Sequence, residues 1–213
     1  MSIASPRTGI TEPMDLSEVI SGMDISGASF GPSSDGCSGF YDMTFDGCIF
    51  SGVDMRSVTF RNVSLTDCVF TGCDISNRVF SGVSLRRVSF ERCLLTGLDL
   101  SQSGIYDLSV SDSKAMYLNF TRSKVRNMSF TDTDMSGSFF LDTDLKGALF
   151  RACRLSECEF SGVSLKGTDL SECDISGIRA DMFSVRGMII DPLQAQDLAG
   201  LLGVVLKERG IRN

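Results

Sequence analysis

The sequence predicts an all-β solenoid, a chain that winds through successive coils of short strands. The first observation behind this prediction is a period of five: every fifth residue from Phe40 to Ile190 is apolar. An α-helix repeats its apolar face every 3.6 residues and a half-buried strand every 2, so neither stays in phase with five over this length. Of the 15 phenylalanines, all but two lie on this five-residue lattice once it is extended back to Phe30.

The second observation is a glycine that recurs two residues after the central apolar residue, as at Gly47, Gly52 and Gly72. Glycine adopts positive φ without steric cost, so it marks a turn at the end of each five-residue unit. The residue two before the centre is mostly small or apolar, as at Val53 and Cys68. We therefore expect two positions in five to face inward and three to face water.

The third observation sets the size of one coil. Phenylalanine favours every tenth position, and cysteines recur at a spacing of twenty, for example at Cys48 and Cys68. Twenty residues per coil predicts four sides of five residues each. We call these sides 1 to 4; they are represented by Phe50 (side 1), Met55 (side 2), Phe60 (side 3) and Leu65 (side 4), and each repeats every twenty residues.

Composition excludes much of catalysis. The 213 residues include no histidine, so a Ser-His or Cys-His nucleophile pair and a histidine-ligated metal are impossible. Seven of the eight cysteines occupy the inward position two before the centre, where a small apolar side chain is ordinary core filling; only Cys37 does not. We expect no enzyme activity, no cofactor and no metal.

Charge bears on partners and location. The chain has 20 Lys and Arg against 27 Asp and Glu, a net charge of −7, which disfavours direct binding of nucleic acid. No run of 18 apolar residues indicates a membrane span. The sequence therefore predicts a cytoplasmic protein with reduced cysteines, bound to neither nucleic acid nor membrane.

The charge is distributed unevenly over the four sides. Side 1 has six carboxylates against two arginines, side 2 has six against three cations, and side 4 has seven cations against five aspartates. Sides 1 and 2 are thus acidic and side 4 is basic. The candidate partner-binding residues on the acidic sides are Asp132, Asp134, Glu157, Asp169, Glu172 and Asp174.

The two ends of the chain depart from the repeat. We expect a lead-in over residues 1–19, a solenoid over 20–190 with a loop at 31–39, and a cap over 191–213. Asp191 suits a helix N-cap and Pro192 a first helical residue. A short helix should then run to Gly203, followed by a short strand.

The repeats are similar to those of a known family. Runs such as "CVFTGCDISN" and "TDLKGALF" resemble pentapeptide-repeat proteins, which implies a right-handed quadrilateral β-helix. Length and the ending "DPLQAQDLAGLLGVVL" resemble the Qnr and MfpA quinolone-resistance group. That resemblance implies a DNA mimic that binds DNA gyrase or topoisomerase IV, inhibiting it or protecting it from quinolones or toxins. The alternative is a structural or protein-binding solenoid with no topoisomerase role.

The C-terminal segment allows two interpretations. One is a cap on a monomer. The segment, however, has more apolar residues than are needed to cover the end of one solenoid with a single apolar helix face. The resemblance favours a homodimer joined tail to tail. The residues expected at that interface are Leu193, Leu198, Leu201, Leu202, Val204, Val205 and Leu206.

Overall fold

The computed structural model describes residues 3–32 and 39–205, with Leu202 described by its backbone only. These residues form a parallel-strand β-solenoid of about seven turns that ends in one short helix, as predicted. The described strands join in one sheet: β1 Glu12–Pro13, β2 Asp24–Ser26, β3 Ala28–Phe30, β4 Gly39–Asp46, β5 Ile49–Ser51, β6 Thr59–Thr66, β7 Val69–Thr71, β8 Ser84–Glu91, β9 Gly104–Ser111, β10 Lys124–Thr131 and β11 Leu149–Arg151.

From β2 onward the strands pair at the predicted spacing of twenty, whereas β1 pairs with β3 at a spacing of sixteen. Phe50 is opposite Phe70 and Leu65 is opposite Leu85, always in parallel. Past β11 the ladder continues as isolated parallel bridges. Phe30 pairs with Phe50 on side 1, and β4 pairs with β6 in the same register, so the register is unchanged across the predicted loop at 31–39. Residues 33–38 of that loop, with Cys37, lie outside the described residues.

The corners between sides adopt left-handed backbone conformation. Gly52 and Gly72 have φ of 65° and 63°, as their type allows, but 16 non-glycine residues in the described ranges also have positive φ, among them Asp132 at 49°. A hydrogen bond between turns holds this geometry: the amide of Gly52 donates to the carbonyl of Thr71 at 2.8 Å, and the amide of Asp132 donates to that of Arg151 at 3.0 Å. The corner therefore depends on register more than on residue type.

Phenylalanine rings stack along the axis on two opposite sides. On side 1 the ring centroids of Phe50 and Phe70 are 4.5 Å apart and those of Phe70 and Phe90 are 4.8 Å apart. On side 3, Phe140 and Phe160 stack at 4.9 Å. All five rings are almost fully buried, so the predicted core is confirmed.

The inward position two before the centre has a polar function as well as a packing one. The hydroxyl of Ser103 donates to the carbonyl of Phe80 at 2.9 Å, and the thiol of Cys158 donates to that of Met135 at 3.1 Å. Burial raises the pKa of the Cys158 thiol to about 12, so it stays protonated. Seven free, buried cysteines lie within the described part of the chain.

An N-terminal arm, residues 3–11, runs along the corner between sides 4 and 1. The amide of Arg7 donates to Asp67 Oδ1 at 2.9 Å, and the amide of Ala4 lies 3.4 Å from Asp107 Oδ1. The arm leads into β1, which pairs with β3, so the sheet begins inside the predicted lead-in. In the described part of the chain no helix is long and apolar enough to cross a membrane.

The ring stack on side 1 gives a first prediction. Replacing Phe70 with alanine removes a ring held between two others, so the free energy of unfolding should fall by about 3–5 kcal/mol. Urea denaturation followed by circular dichroism measures this change. Ser51→Ala, an exposed position on β5, is the control and should cost less than about 0.5 kcal/mol. Equal losses in both variants would show that the stack does not stabilise the core.

The anchor of the arm gives a second prediction. Arg87 donates to Asp67 from Nε at 2.6 Å, and this pairing, helped by the Arg7 amide, lowers the pKa of Asp67. Because the folded pKa is lowered, the stabilisation is present above about pH 4 and is lost as pH falls below it.

Removing this nearly buried carboxylate by Asp67→Ala leaves Arg87 unpaired. The free energy of unfolding should drop by about 3 kcal/mol at pH 7, and the gap to the wild type should narrow below about pH 4. Urea titrations from neutral to acid pH measure the gap. A gap that does not change with pH would mean that charge at Asp67 has no part in stability.

Candidate partner-binding surfaces

The interior of the solenoid is filled by its own side chains, so candidate sites lie on the outer surface. Buried side-chain nitrogen and oxygen atoms all have hydrogen-bond partners in the described ranges. No group of three or more His, Cys, Asp or Glu that could hold a metal ion occurs among the described residues. The candidate sites are therefore open outer surfaces, of the kind on which a macromolecule binds.

Two of the predicted acidic residues share one row on side 2. Asp134 and Asp174 lie one turn on either side of Arg154, paired through parallel bridges. Arg154 Nη1 is 3.7 Å from Asp134 Oδ2, and its Nε is 3.9 Å from Asp174 Oδ2. The arginine therefore cancels part of the negative charge of this row.

The other predicted acidic residues spread around it. Asp132 and Glu172 lie in the corner column between sides 1 and 2, Glu157 lies in the corner between sides 2 and 3, and Asp169 lies on side 1. Arg151 Nε is 3.9 Å from Glu172 Oε2. Within the described residues, Asp132, Glu157 and Asp169 have no cation within ion-pair distance. The structure thus places all six on or beside sides 1 and 2, without gathering them at one point.

Three of the six carboxylates also close their own turns. Asp169 Oδ1 accepts from the amide of Ser171 at 3.0 Å and from its hydroxyl at 2.6 Å, and these bonds lower the pKa of Asp169. Asp134 and Asp174 make the same pair of bonds to the serine two residues on. Sequence reasoning missed this role, although the recurring Asp-x-Ser spacing signals it.

The remaining three, Asp132, Glu157 and Glu172, make no such turn-closing bond. We call them the corner acids. All three are exposed, and the fold does not use their carboxylates for turn formation. Turn formation explains the carboxylates of Asp134, Asp169 and Asp174 but not those of the corner acids. The corner acids are therefore the stronger candidates for binding a partner.

The C-terminal cap has the predicted start and end. A 3-10 turn at Pro192–Gln194 leads into α1, Ala195–Ala199, and a second 3-10 turn at Gly200–Leu202 follows. Asp191 caps the start by accepting from the amide of Leu193 at 2.9 Å. Gly203 ends it with a φ of 69°. The regular α-helix is shorter than predicted because 3-10 turns form both of its flanks.

The structure divides the predicted dimerisation residues into two groups. Leu198 and Leu201 are partly buried and pack against the core, so they belong to the cap itself. Leu193 is 80% exposed and Val205 is 90% exposed, and Val204 is also exposed, so these three can meet a partner. The side chain of Leu202 and the whole of Leu206 lie outside the described residues, as does most of the predicted final strand.

The last turn of the solenoid exposes further apolar residues, one of which the five-residue pattern predicts to face inward. Phe183 falls on an inward position by count, yet it is 86% exposed. Asp181 Oδ1 accepts from the amides of Phe183 at 2.8 Å and Ser184 at 2.9 Å, and Ser184 is buried instead. The C-terminal apolar surface, as we name it, consists of Met182, Phe183, Ile189, Leu193, Val204 and Val205.

Comparison with solved structures returns repeat proteins at low identity. HetL, a pentapeptide repeat protein involved in heterocyst differentiation regulation from the cyanobacterium Nostoc sp., is 13% identical; the match covers 81% of this chain and 91% of HetL, with a TM-score of 0.36. QnrB1, a plasmid-mediated fluoroquinolone resistance protein, is 19% identical over 91% of this chain and 95% of its own, with a TM-score of 0.32. These TM-scores are below 0.5, so the likeness says nothing about function.

Family models match the repeats themselves. A pentapeptide repeat region matches residues 83–160, and pentapeptide repeats match residues 40–77 and 143–179, so the two together cover more than half of the chain. No curated protein matches the chain in sequence. With its five-residue period, four-sided register and these matches, the chain belongs to the pentapeptide-repeat family.

Proposed function

We propose that this protein binds DNA gyrase or topoisomerase IV in place of duplex DNA, through acidic sides 1 and 2. The observation that carries the proposal is the set of corner acids, Asp132, Glu157 and Glu172, which project from one half of the rod without serving its turns. Carboxylates that close no turn, spaced along the two corners that flank side 2, suit a protein surface that binds phosphates through Lys and Arg.

Charge density limits how closely the rod imitates DNA. About seven turns at a strand spacing of roughly 4.8 Å give a rod of about 34 Å. Duplex DNA carries one charge per roughly 1.7 Å, or about 20 over that length, whereas this chain has a net charge of −7. The imitation is therefore confined to the acidic sides, and simple competition with DNA for a basic surface is the expected mode.

A tail-to-tail dimer would enlarge the acidic surface. The C-terminal apolar surface contains Phe183, Leu193 and Val205, which are exposed at the same end of the rod as the corner acids. Pairing two copies there would bury these side chains and set the acidic halves of both rods next to the centre. The competing surface would then be about twice as long.

A second candidate function is protein binding with no topoisomerase role. Pentapeptide-repeat proteins differ in role: HetL is involved in the regulation of heterocyst differentiation, whereas QnrB1 is a fluoroquinolone resistance protein. Arg154, which lies between Asp134 and Asp174, also favours this candidate, because its charge offsets part of the negative charge of side 2.

The topoisomerase proposal predicts an effect on DNA supercoiling. Purified gyrase is assayed with increasing amounts of the protein, with and without ciprofloxacin. Wild-type protein at micromolar concentration should inhibit supercoiling, or should restore supercoiling that ciprofloxacin has inhibited. The double variant Asp132→Asn, Glu157→Gln should need about fivefold more protein, since two exposed ion pairs contribute about 1 kcal/mol together.

The matched control is Asp24→Asn, Asp46→Asn, which removes the same charge from exposed residues of side 4. It should behave as wild type. If wild-type protein neither inhibits nor rescues at micromolar concentration, the topoisomerase role is wrong and the second candidate stands. If both double variants weaken equally, the effect follows net charge alone and sides 1 and 2 have no special part.

The dimer proposal predicts a mass in solution of twice 23.1 kDa by light scattering. Phe183→Asp with Leu193→Asp should halve that mass, because both side chains are exposed in one copy and charge would be buried in the dimer. Ile10→Asp, which changes a 99% exposed residue outside the C-terminal apolar surface, should leave the mass unchanged. A monomeric wild type, or a dimer insensitive to the double change, would contradict this interface.

A further inference from the structure

Five of the seven cations of side 4 lie in one row, which is interrupted by a tyrosine. The row occupies one outward position on six successive turns, and strand pairing sets Arg86 beside Tyr106 and Tyr106 beside Arg126. At roughly 4.8 Å per turn the row is about 24 Å long. Its members, which we call the basic row, are Arg86, Tyr106, Arg126, Lys146, Lys166 and Arg186, and all are exposed.

The cations of the basic row have no ionic partners in the described ranges. By contrast, Arg56 pairs with Asp54 at 2.7 Å and Arg179 with Glu159 at 3.3 Å on other sides. Three side-4 carboxylates near the row have partners outside it or in the backbone: Asp107 accepts from Asn127, Asp144 accepts from the amide of Lys146, and Asp67 pairs with Arg87. The cations of the row are therefore left free to pair with a ligand that carries negative charge.

A shallow groove lies beside the tyrosine. The groove has a volume of about 520 Å³ and is lined by Tyr106, Arg122, Ser123, Lys124, Val125, Arg126, Asp142 and Asp144. Tyr106 is 45% exposed, so its ring is open to contact between two guanidinium groups. Val125 is only partly buried, unlike the central residues on the turns above and below it.

We propose that the basic row binds single-stranded nucleic acid, with phosphates along the cations and a base stacked on Tyr106. Cations that follow a backbone, combined with an aromatic ring for stacking, are the general means of binding single strands without sequence preference. The row is one residue wide, so it fits a line-shaped polyanion. A flat anionic membrane would also meet the acidic flanks at Asp142 and Asp144.

The net charge of −7 led us to expect no nucleic acid, but the fold separates the charges. Side 4 is opposite acidic side 2, with the core between them. Screening at physiological salt limits exposed charges to a range of about 8 Å, so a ligand on side 4 responds mainly to the basic row. This inference is independent of the proposed topoisomerase function, which uses sides 1 and 2.

Fluorescence anisotropy with a labelled 20-nucleotide oligo-dT tests the proposal with no topoisomerase present. Wild-type protein should bind at micromolar concentration in 50 mM salt. If the five cations contact phosphates, the salt slope should approach about −3.5. The affinity should then fall by about 100-fold between 50 and 200 mM salt.

A pair of matched double variants locates the site. Arg126→Gln with Lys146→Gln should weaken binding by about tenfold at 50 mM salt and reduce the slope by about 1.4. Arg56→Gln with Arg154→Gln removes the same charge from side 2 and should change the affinity less than twofold. Circular dichroism melts confirm that both variants are folded. Equal weakening by both pairs would overturn the basic row as the site.

The tyrosine distinguishes nucleic acid from other polyanions. Tyr106→Ala should weaken oligo-dT binding by about tenfold, whereas Tyr106→Phe and the control Tyr117→Ala should not. Poly-glutamate and phosphatidylserine vesicles serve as competitors and should displace the oligonucleotide poorly. If oligo-dT does not bind at 50 mM salt, the basic row binds no nucleic acid and the proposal is wrong. If poly-glutamate or the vesicles bind more tightly than oligo-dT and Tyr106→Ala does not change their affinity, the ligand is an acidic protein segment or a membrane, and the proposal is also wrong.

Discussion

The twenty-residue register is the constraint on which the rest of the structure depends. Backbone hydrogen bonds between turns enforce it: the amide of Asp134 donates to the carbonyl of Ser113 at 3.1 Å, and the amide of Arg154 donates to that of Thr133 at 3.0 Å. Each side chain consequently lies between those twenty residues before and after it. A one-residue slip would move every central residue out of the core, so ring stacks, left-handed corners and surface rows all rely on the same pairing.

Register also turns the outer positions into rows whose composition can be compared. The row with Asp134 and Asp174 alternates sign at Arg154, which relieves repulsion between neighbouring turns. The basic row does not alternate, although like charges on adjacent strands oppose folding. Tyr106 lies between Arg86 and Arg126, so it separates the first two cations of the row. A bound polyanion would remove the repulsion and so stabilise the fold.

The sequence predicted the architecture well because one period dominates it. Central residues, four sides, the Asp191 cap and the stop at Gly203 all follow from spacing and residue type. Prediction was less complete where a local hydrogen bond competes with the period: Asp181 binds two amides and turns Phe183 outward. Spacing also does not predict that Leu198 packs against the core while Leu193 is exposed. That difference depends on the orientation of the cap on the solenoid.

The solid core makes the four sides chemically independent of one another. An outward residue that closes no turn can change at little cost in stability, so a side can gain or lose a binding role while the solenoid stays intact. For this reason the fold itself carries little information about function. The informative residues are those whose charge the fold does not use, such as Asp132 and Glu157 on the acidic half and Arg126 and Lys146 on side 4. Since the two kinds lie on opposite sides, the two proposed functions use separate surfaces and do not compete for one site.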